Sequence, residues 1–183
     1  MVFGDHVIGE GAARGAKWEE EENRNSDGQT DLHLAALSNR VDLLFKHLHE
    51  GGDINAIDTN CFTPLHIAAA NEHWDISLIL LQQSDVDVEK LSSDGSSVLH
   101  YLVRASPESP QQMEKLITLL ELVKSKGADI NAMNNEGASC LHDAISFNSC
   151  LGVNWLLEKN ANINITDKFL FFPFLLFLAI DGI

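Results

Sequence analysis

Four histidines, each directly after a leucine, are the residues best suited to bind a metal or act as a base: His33, His66, His100 and His142. Cys140, two positions before the last of them, adds a second zinc-type ligand. The histidines are 33, 34 and 42 residues apart, one in each repeating unit. Side chains on successive packed helical units lie about 10 Å apart, whereas ligands of one zinc ion lie within about 2.3 Å of it. We therefore predict that these histidines form a structural framework and that the chain has no metal site.

Serines close to these histidines raise the question of a hydrolase. Ser97 lies three residues before His100, but a serine at a helix start usually hydrogen-bonds to backbone N–H groups. The sequence has no nucleophile elbow and no phosphate-binding loop. Recurring aspartates such as Asp53 and Asp129 fall where turns favour them. We predict no catalytic residue, cofactor or small-molecule substrate, and an enzyme remains a remote alternative.

The elements that carry the histidines recur along the chain. Each unit opens with a threonine or serine that lies two residues before a Leu-His pair, at 30–33, 63–66, 97–100 and 139–142. Each closes on a Gly-Ala-Asp-Ile-Asn-like segment, at 51–55, 127–131 and 160–164, with 85–89 as the weaker copy. Self-similarity at this period is the signature of a repeat architecture.

One unit can be interpreted as a helix pair. Thr63 and Pro64 are typical of an N-cap followed by proline at the first helical position. Trp74, Ile76, Ile79 and Leu80 supply the apolar face of a second helix. One such pair cannot bury its own apolar face, so stability requires at least about three stacked units.

Turn signals separate the units. Gly28, Gly95 and Gly137 follow Asp, Asp and Glu, and glycine can take positive φ there. Cys61 stands at the same place in the second unit, where we expect it to strain the turn or change its type. The third unit exceeds 34 residues by eight and contains Ser106-Pro107 and Ser109-Pro110, which predict a longer loop between its helices.

The paired openings and closings resemble the ankyrin-repeat family over residues 25–166, with repeats near 25–57, 58–91, 92–133 and 134–166. The resemblance implies an all-α solenoid of stacked helix-turn-helix units with β-turn fingers. It also implies that each repeat histidine ties its helix start to the neighbouring turn. His47 stands where the family usually has leucine.

Ankyrin repeats commonly bind partners at the hairpin tips and the exposed side of the first helices, so the resemblance implies another protein as the partner, bound on the concave surface. We expect an adaptor or scaffold, or alternatively an inhibitor subunit or a targeting or regulatory fragment of a larger signalling protein. The matching positions are Asp27, Gln29, Ser38, Asn60, Phe62, Asn71, Asp94, Ser96, Arg104, Glu136 and Phe147.

Charge narrows the partner class. With 27 acidic and 12 basic residues the formal charge is −15, which disfavours nucleic acid and anionic bilayers. Residues 1–24, with four consecutive glutamates at 19–22, are predicted to be an acidic disordered leader. Three unpatterned cysteines, and no apolar run before residue 24, favour the cytoplasm, with the nucleus as an alternative.

The last segment departs from the repeat. Pro173 keeps the register of Pro64, but residues 169–180 replace the turn glycine, cap, histidine and alanines by bulky apolar groups. Twelve residues with a proline are too short for a membrane-spanning helix, which needs about 20. We interpret 167–183 as a degenerate fifth-repeat start or apolar tail, with membrane contact only a weak alternative.

Overall fold

The computed structural model of this protein describes residues 24–169. The predicted leader over 1–24 lies outside these residues except for Arg24, and the predicted degenerate repeat start or tail over 167–183 lies outside them except for 167–169. The described part forms eight helices in four consecutive pairs. They are α1 Asp31–Leu37 and α2 Val41–His49, α3 Pro64–Ala70 and α4 Trp74–Gln82, α5 Val98–Arg104 and α6 Pro110–Ser125, α7 Cys140–Ser146 and α8 Cys150–Glu158.

The pairs stack along the chain into one array. The first helices α1, α3, α5 and α7 pack successively against one another, and each also packs on the second helix of its own pair. Their buried residues form one continuous core, in which Leu32, Leu65, Leu99 and Leu141 recur at the same place in every unit. The predicted all-α solenoid of stacked helix pairs is confirmed.

Every first helix begins in the same way because its N-cap residue and the histidine three positions later hydrogen-bond to each other. Thr63 is the N-cap of α3 and its hydroxyl accepts a hydrogen bond from the His66 backbone N–H at 3.3 Å. The backbone N–H of the cap in turn donates to Nδ1 of the histidine, at 3.3 Å in α3 and 3.1 Å in α5. This exchange is the capping-box arrangement with histidine at the third helical position, which fixes where the helix starts.

Each unit opens with a turn that we call its finger, formed by residues 25–29, 58–62, 92–96 and 134–138. An Asx side chain begins three of the fingers; Asp58, for example, accepts from the backbone N–H groups of Asn60 and Phe62 at 2.8 and 2.9 Å. The finger of the second unit keeps its shape although Cys61 replaces glycine, because Cys61 itself adopts a φ of +60°. Strain, rather than a change of turn type, is therefore the outcome at this position.

The longer loop predicted between the helices of the third unit accounts for only a small part of its extra residues. Residues 105–109 connect α5 to α6, and most of the added length extends α6 to 16 residues, against nine in each other second helix. Ser109 caps this helix by accepting from the Gln112 N–H at 3.2 Å, and Pro110 occupies the first helical position. A Ser-Pro pair can open a helix as well as a loop, since proline lacks only an N–H that a first turn leaves unpaired.

Candidate partner-binding surface

The four fingers are joined into a row by backbone hydrogen bonds between their tips. The Thr59 N–H donates to the Asp27 carbonyl at 3.0 Å, the Ser93 N–H to Asn60 at 2.9 Å and the Asn135 N–H to Asp94 at 2.8 Å. The predicted tip residues Asp27, Asn60, Asp94 and Glu136 are all exposed. Their spacing along the row is therefore fixed by the backbone and not by flexible contacts.

The tip of the third finger carries a preorganised carboxylate. Asp94 accepts hydrogen bonds from the Ser92 hydroxyl, the Ser96 backbone N–H and the Ser96 hydroxyl. Burial alone would raise the pKa of Asp94, but these hydrogen bonds outweigh it and lower that pKa below its ordinary value. The tip therefore carries a full negative charge held in one orientation.

Ser96 itself is fully buried, so the expectation that it is exposed is wrong. Its hydroxyl points to Asp94 at 3.1 Å and lies 3.4 Å from an Arg104 guanidinium nitrogen. The finger position that Gln29 and Phe62 occupy in the first two units is turned inward in the third, because two hydrogen bonds to Asp94 hold it there. Ser96 supports the surface and does not reach a partner.

Two of the predicted contact residues, at the ends of α1 and α3, hydrogen-bond through their side chains to carbonyl groups of their own helices. The Ser38 hydroxyl donates to the Leu34 carbonyl at 2.6 Å, and the Asn71 side-chain amide donates to the Ile67 carbonyl at 2.8 Å. Gln29, half-buried on the first finger, accepts from the Asn25 amide at 3.0 Å. These groups can still accept or donate further hydrogen bonds at their solvent side.

Arg104 lies at the centre of an aromatic–arginine cluster formed with Tyr101, Asp143 and Phe147. Its guanidinium carbon lies 4.7 Å from the centroid of the Tyr101 ring and 5.2 Å from that of Phe147. One guanidinium nitrogen lies 2.7 Å from an Asp143 carboxylate oxygen, with the two side chains only 19% and 11% exposed. The cluster therefore joins the third unit to the fourth by an ion pair and two cation–π contacts.

Phe62 extends this cluster toward the second unit. Its ring is half-buried and lies 5.5 Å from Tyr101 and 5.8 Å from His66, measured between ring centroids. Phe147, at the other end, is 56% exposed. The structure thus brings three of the predicted contact residues, Phe62, Arg104 and Phe147, into one aromatic patch.

Several exposed or central residues of this surface were not predicted. Tyr101 and Asp143 belong to the cluster, Leu34 and Leu37 are 38% and 47% exposed on α1, and three apolar residues stand immediately before fingers. The latter are Ile57, Leu91 and Met133, at 42%, 50% and 55% exposure. The signal for them is their position in the repeat: Leu34, Tyr101 and Asp143 each directly follow a framework histidine, and Ile57, Leu91 and Met133 each directly precede a finger.

The four framework histidines differ in what their outer ring nitrogen meets. Nε2 of His33 is bonded to the Phe62 carbonyl at 2.9 Å. Nε2 of His66 and of His100 is buried near the corresponding carbonyls, of Ser96 and Ala138, but lies outside hydrogen-bond geometry. Burial lowers the pKa of His66 to about 4, against the opposing effect of the Ser96 carbonyl, and it lowers that of His100 as well. These imidazoles are therefore neutral at physiological pH.

Residues 24–169 contain no group of three or more His, Cys, Asp or Glu side chains that could hold a metal ion. Cys140, beside His142 in sequence, is buried, and burial raises the pKa of its thiol. In the same part of the chain no helix is long and apolar enough to cross a bilayer.

Comparisons with known proteins agree with this architecture. The sequence pattern of ankyrin repeats, three copies long, matches residues 14–91, 32–132 and 85–167. The chain is 31% identical over 141 residues to neurogenic locus notch homolog protein 2 of Homo sapiens, covering 77% of this chain and 5% of that protein. It is 31% identical over 157 residues to neurogenic locus notch homolog protein 1 of Xenopus tropicalis, covering 86% and 6%. The chain thus spans about a twentieth of these relatives' length, and it belongs to the ankyrin-repeat family.

Proposed function

We propose that this chain is a protein–protein interaction module, an adaptor or scaffold that binds a partner protein in the cytoplasm or nucleus and catalyses no reaction. The partner lies across the fingers and the exposed sides of α1, α3, α5 and α7, which together we call the finger surface. The observation that carries the proposal is the contrast between a repeated frame and a varied surface.

The frame repeats because folding requires it. A hydroxyl cap, a leucine and a histidine open all four first helices. Four positions after the histidine the residues are instead Leu37, Ala70, Arg104 and Ser146, and one position later Ser38, Asn71, Ala105 and Phe147. A rigid array that presents a different side chain in each unit is suited to recognise one specific protein surface.

The aromatic–arginine cluster is the best candidate for the energetic centre of that contact. Tyrosine, phenylalanine and arginine are enriched in the cores of protein interfaces, and tyrosine and arginine are also enriched in binding hot spots. Tyr101 and Arg104 are already ordered by the ion pair to Asp143 and by ring contacts. A partner that covers Phe147 would therefore gain apolar burial without ordering these side chains.

A second candidate function follows from the comparison. Because the matched region is only 5–6% of the notch homologs, the chain is also compatible with the regulatory or targeting portion of a larger signalling protein. Here the same finger surface would bind the partner, and the remaining activity would reside elsewhere in that protein.

Capture of partners on the immobilised full chain tests the proposal when it is done with two matched double variants. Tyr101→Ala with Phe147→Ala removes aromatic contact on the finger surface, whereas Met113→Ala with Ile117→Ala removes two exposed apolar side chains of α6, at 46% and 44% exposure. We expect proteins retained by the parent and by the α6 variant to be lost from the finger-surface variant, with all three showing the same circular dichroism. Equal retention by both variants would contradict a partner on the fingers and first helices.

A further inference from the structure

We propose that the finger surface recognises a basic protein segment, in which lysine or arginine side chains flank large apolar ones. This inference rests on the proposed function and specifies the chemical class of the partner. Three observations support it. The fingers and first helices are more acidic than the second helices, Arg104 is paired with Asp143, and several apolar side chains near the fingers are exposed.

Charge is unevenly divided across the array. The four fingers and four first helices contain one basic residue, Arg104; their carboxylates are Asp27, Asp31, Asp58, Asp94, Glu136 and Asp143. The second helices mix the two signs, with Lys46, Lys115 and Lys124 among Asp42, Asp75, Glu114, Glu121 and Glu158. The fingers and first helices therefore carry a formal charge of −5, from six carboxylates and one arginine, against −2 for the second helices, from five carboxylates and three lysines.

The cations on and beside this surface offset its carboxylates only in part. The Arg24 guanidinium donates to the Gly28 carbonyl of the first finger at 2.8 Å, and the exposed Lys168 donates its backbone N–H to the Glu136 carbonyl at 2.9 Å. Arg104 is already neutralised by Asp143 at 2.7 Å and lies between two aromatic rings. Asp58 is buried and committed to backbone N–H groups. The carboxylates that face solvent are then Asp27 and Glu136 at exposed tips, Asp94 with its lowered pKa, and Asp31 on α1, whose side chain is 50% exposed.

The fingertip carboxylates are held at fixed intervals. Backbone hydrogen bonds link each tip to the next, so Asp27, Asp94 and Glu136 form a row rather than a diffuse cloud of charge. A fixed row that is mainly acidic steers an oppositely charged partner and disfavours acidic ones, because like charges placed opposite each other repel.

Apolar side chains accompany this row and set the second requirement on the partner. Leu37 and Phe147 are exposed at the C-terminal ends of α1 and α7, the first and the last of the first helices, and Leu91 and Met133 are exposed next to the third and fourth fingers. A hydrophilic polybasic stretch would leave these side chains without apolar contact. A segment that intersperses leucine-like side chains with lysine or arginine would cover them while placing its cations opposite the tips.

The test selects ligands without assuming a partner. Random 16-residue peptides displayed on phage are selected on the full chain, and one enriched peptide is synthesised and measured by isothermal titration calorimetry. We expect enrichment in Lys, Arg and large apolar residues. Asp27→Asn with Glu136→Gln should weaken binding of that peptide about fivefold, in line with two exposed charge contacts, and higher salt should reduce this difference.

The matched control removes the same charge from the second helices. Glu114→Gln with Glu158→Gln neutralises two exposed carboxylates of α6 and α8 and should change affinity less than about twofold. Equal weakening by both double variants, or enrichment of neutral or acidic peptides, would overturn the inference. If the enriched peptides lack basic residues but lose affinity on Phe147→Ala, the inference is overturned and the proposed function stands. If neither Phe147→Ala nor the fingertip substitutions change their affinity, the result counts against the proposed function itself.

Discussion

The imidazole of His33 and the backbone carbonyl of Phe62 are joined by a 2.9 Å hydrogen bond that ties the first unit to the finger of the second. Because Nδ1 of His33 accepts the Thr30 N–H at 3.1 Å, the ring proton lies on Nε2, and Nε2 donates to Phe62. His66 and His100 make the same Nδ1 contact with their caps. Their Nε2 atoms are buried near the corresponding carbonyls, of Ser96 and Ala138, but outside hydrogen-bond geometry, so the second and third units lack the close histidine link that joins the first unit to the second.

This difference predicts a pH-dependent stability. The pKa of His66 is about 4 in the folded chain and 6.5 in the reference state, so the unfolded chain binds the proton first as pH falls. Stability is therefore full above pH 6.5 and declines as pH falls toward 4. Between pH 7 and pH 5 we expect a loss of about 2 kcal/mol from His66, with His100 adding to it.

Urea unfolding of the parent and of His66→Gln at both pH values measures this loss. The glutamine variant should be less stable at pH 7 because a buried hydrogen-bonding ring is lost, but its stability should fall less steeply with pH. An identical decline in both proteins would show that His66 is not the group that titrates.

The second prediction concerns the left-handed residue of the second finger. Cys61 has a φ of +60°, a conformation that costs a non-glycine residue about 1–2 kcal/mol. Cys61→Gly removes this strain, but glycine gains about 0.4–1 kcal/mol of entropy in the unfolded chain. We expect a net rise in the free energy of unfolding of up to about 1 kcal/mol by urea denaturation.

Replacing the glycine at the equivalent position of the third finger should lower the free energy of unfolding. Gly95 has a φ of +79°, and a Cβ there would lie 2.5 Å from the Asn135 side-chain oxygen and 2.8 Å from its backbone nitrogen. Gly95→Ala should therefore lower stability by more than about 1 kcal/mol. If both substitutions destabilise equally, the turn geometry assigned to Cys61 is wrong.

A third prediction follows from the close approach of α8 to α5. A Cβ at Gly152 would collide with the Val103 carbonyl oxygen, and the neighbouring Ser149 hydroxyl donates to the Ala105 carbonyl at 2.6 Å. Alanine is the better helix former by about 1 kcal/mol, so propensity alone predicts that Gly152→Ala stabilises. We expect the collision to dominate and to lower stability by at least about 2 kcal/mol.

Asn154→Ala is the control for this change because it lies on the exposed side of the same helix. There the gain in helix propensity has no opposing collision, so thermal unfolding should move slightly upward or not at all. A higher melting temperature for Gly152→Ala would mean that α8 can shift away from α5 at little cost.

The sequence predicted the parts of this fold that depend on local chemistry. The cap at Thr63, the proline at Pro64 and the turn glycines act within a few residues, and the repeat makes each signal visible four times. Ser106-Pro107 lies in the connection between α5 and α6 as predicted. Ser109-Pro110 was misassigned because proline is compatible with a loop and with a helix start, and the preference for helix lies in the later residues of α6.

The binding surface was harder to predict because it is assembled across units. Arg104 and Asp143 are separated by 39 residues, and only stacking brings them together. The buried position of Ser96 depends on Asp94, whose side chain takes over the role that Asx residues play at the start of the other fingers. Repeat spacing gives the position of a side chain in its unit, but not the partner it finds in the next one.

The last prediction measures the ion pair of the aromatic–arginine cluster. Arg104→Ala leaves the Asp143 carboxylate, 11% exposed, without its counter-ion, and should lower stability by about 2 kcal/mol, below the cost for a fully buried pair because Arg104 is partly solvated. Asp143→Ala and the double variant complete a thermodynamic cycle by urea unfolding. We expect a coupling energy of more than about 1 kcal/mol, since neither side chain has a comparable alternative partner of opposite charge at this distance in the described residues. A coupling near zero would mean that the aromatic rings, and not the carboxylate, hold Arg104 in place.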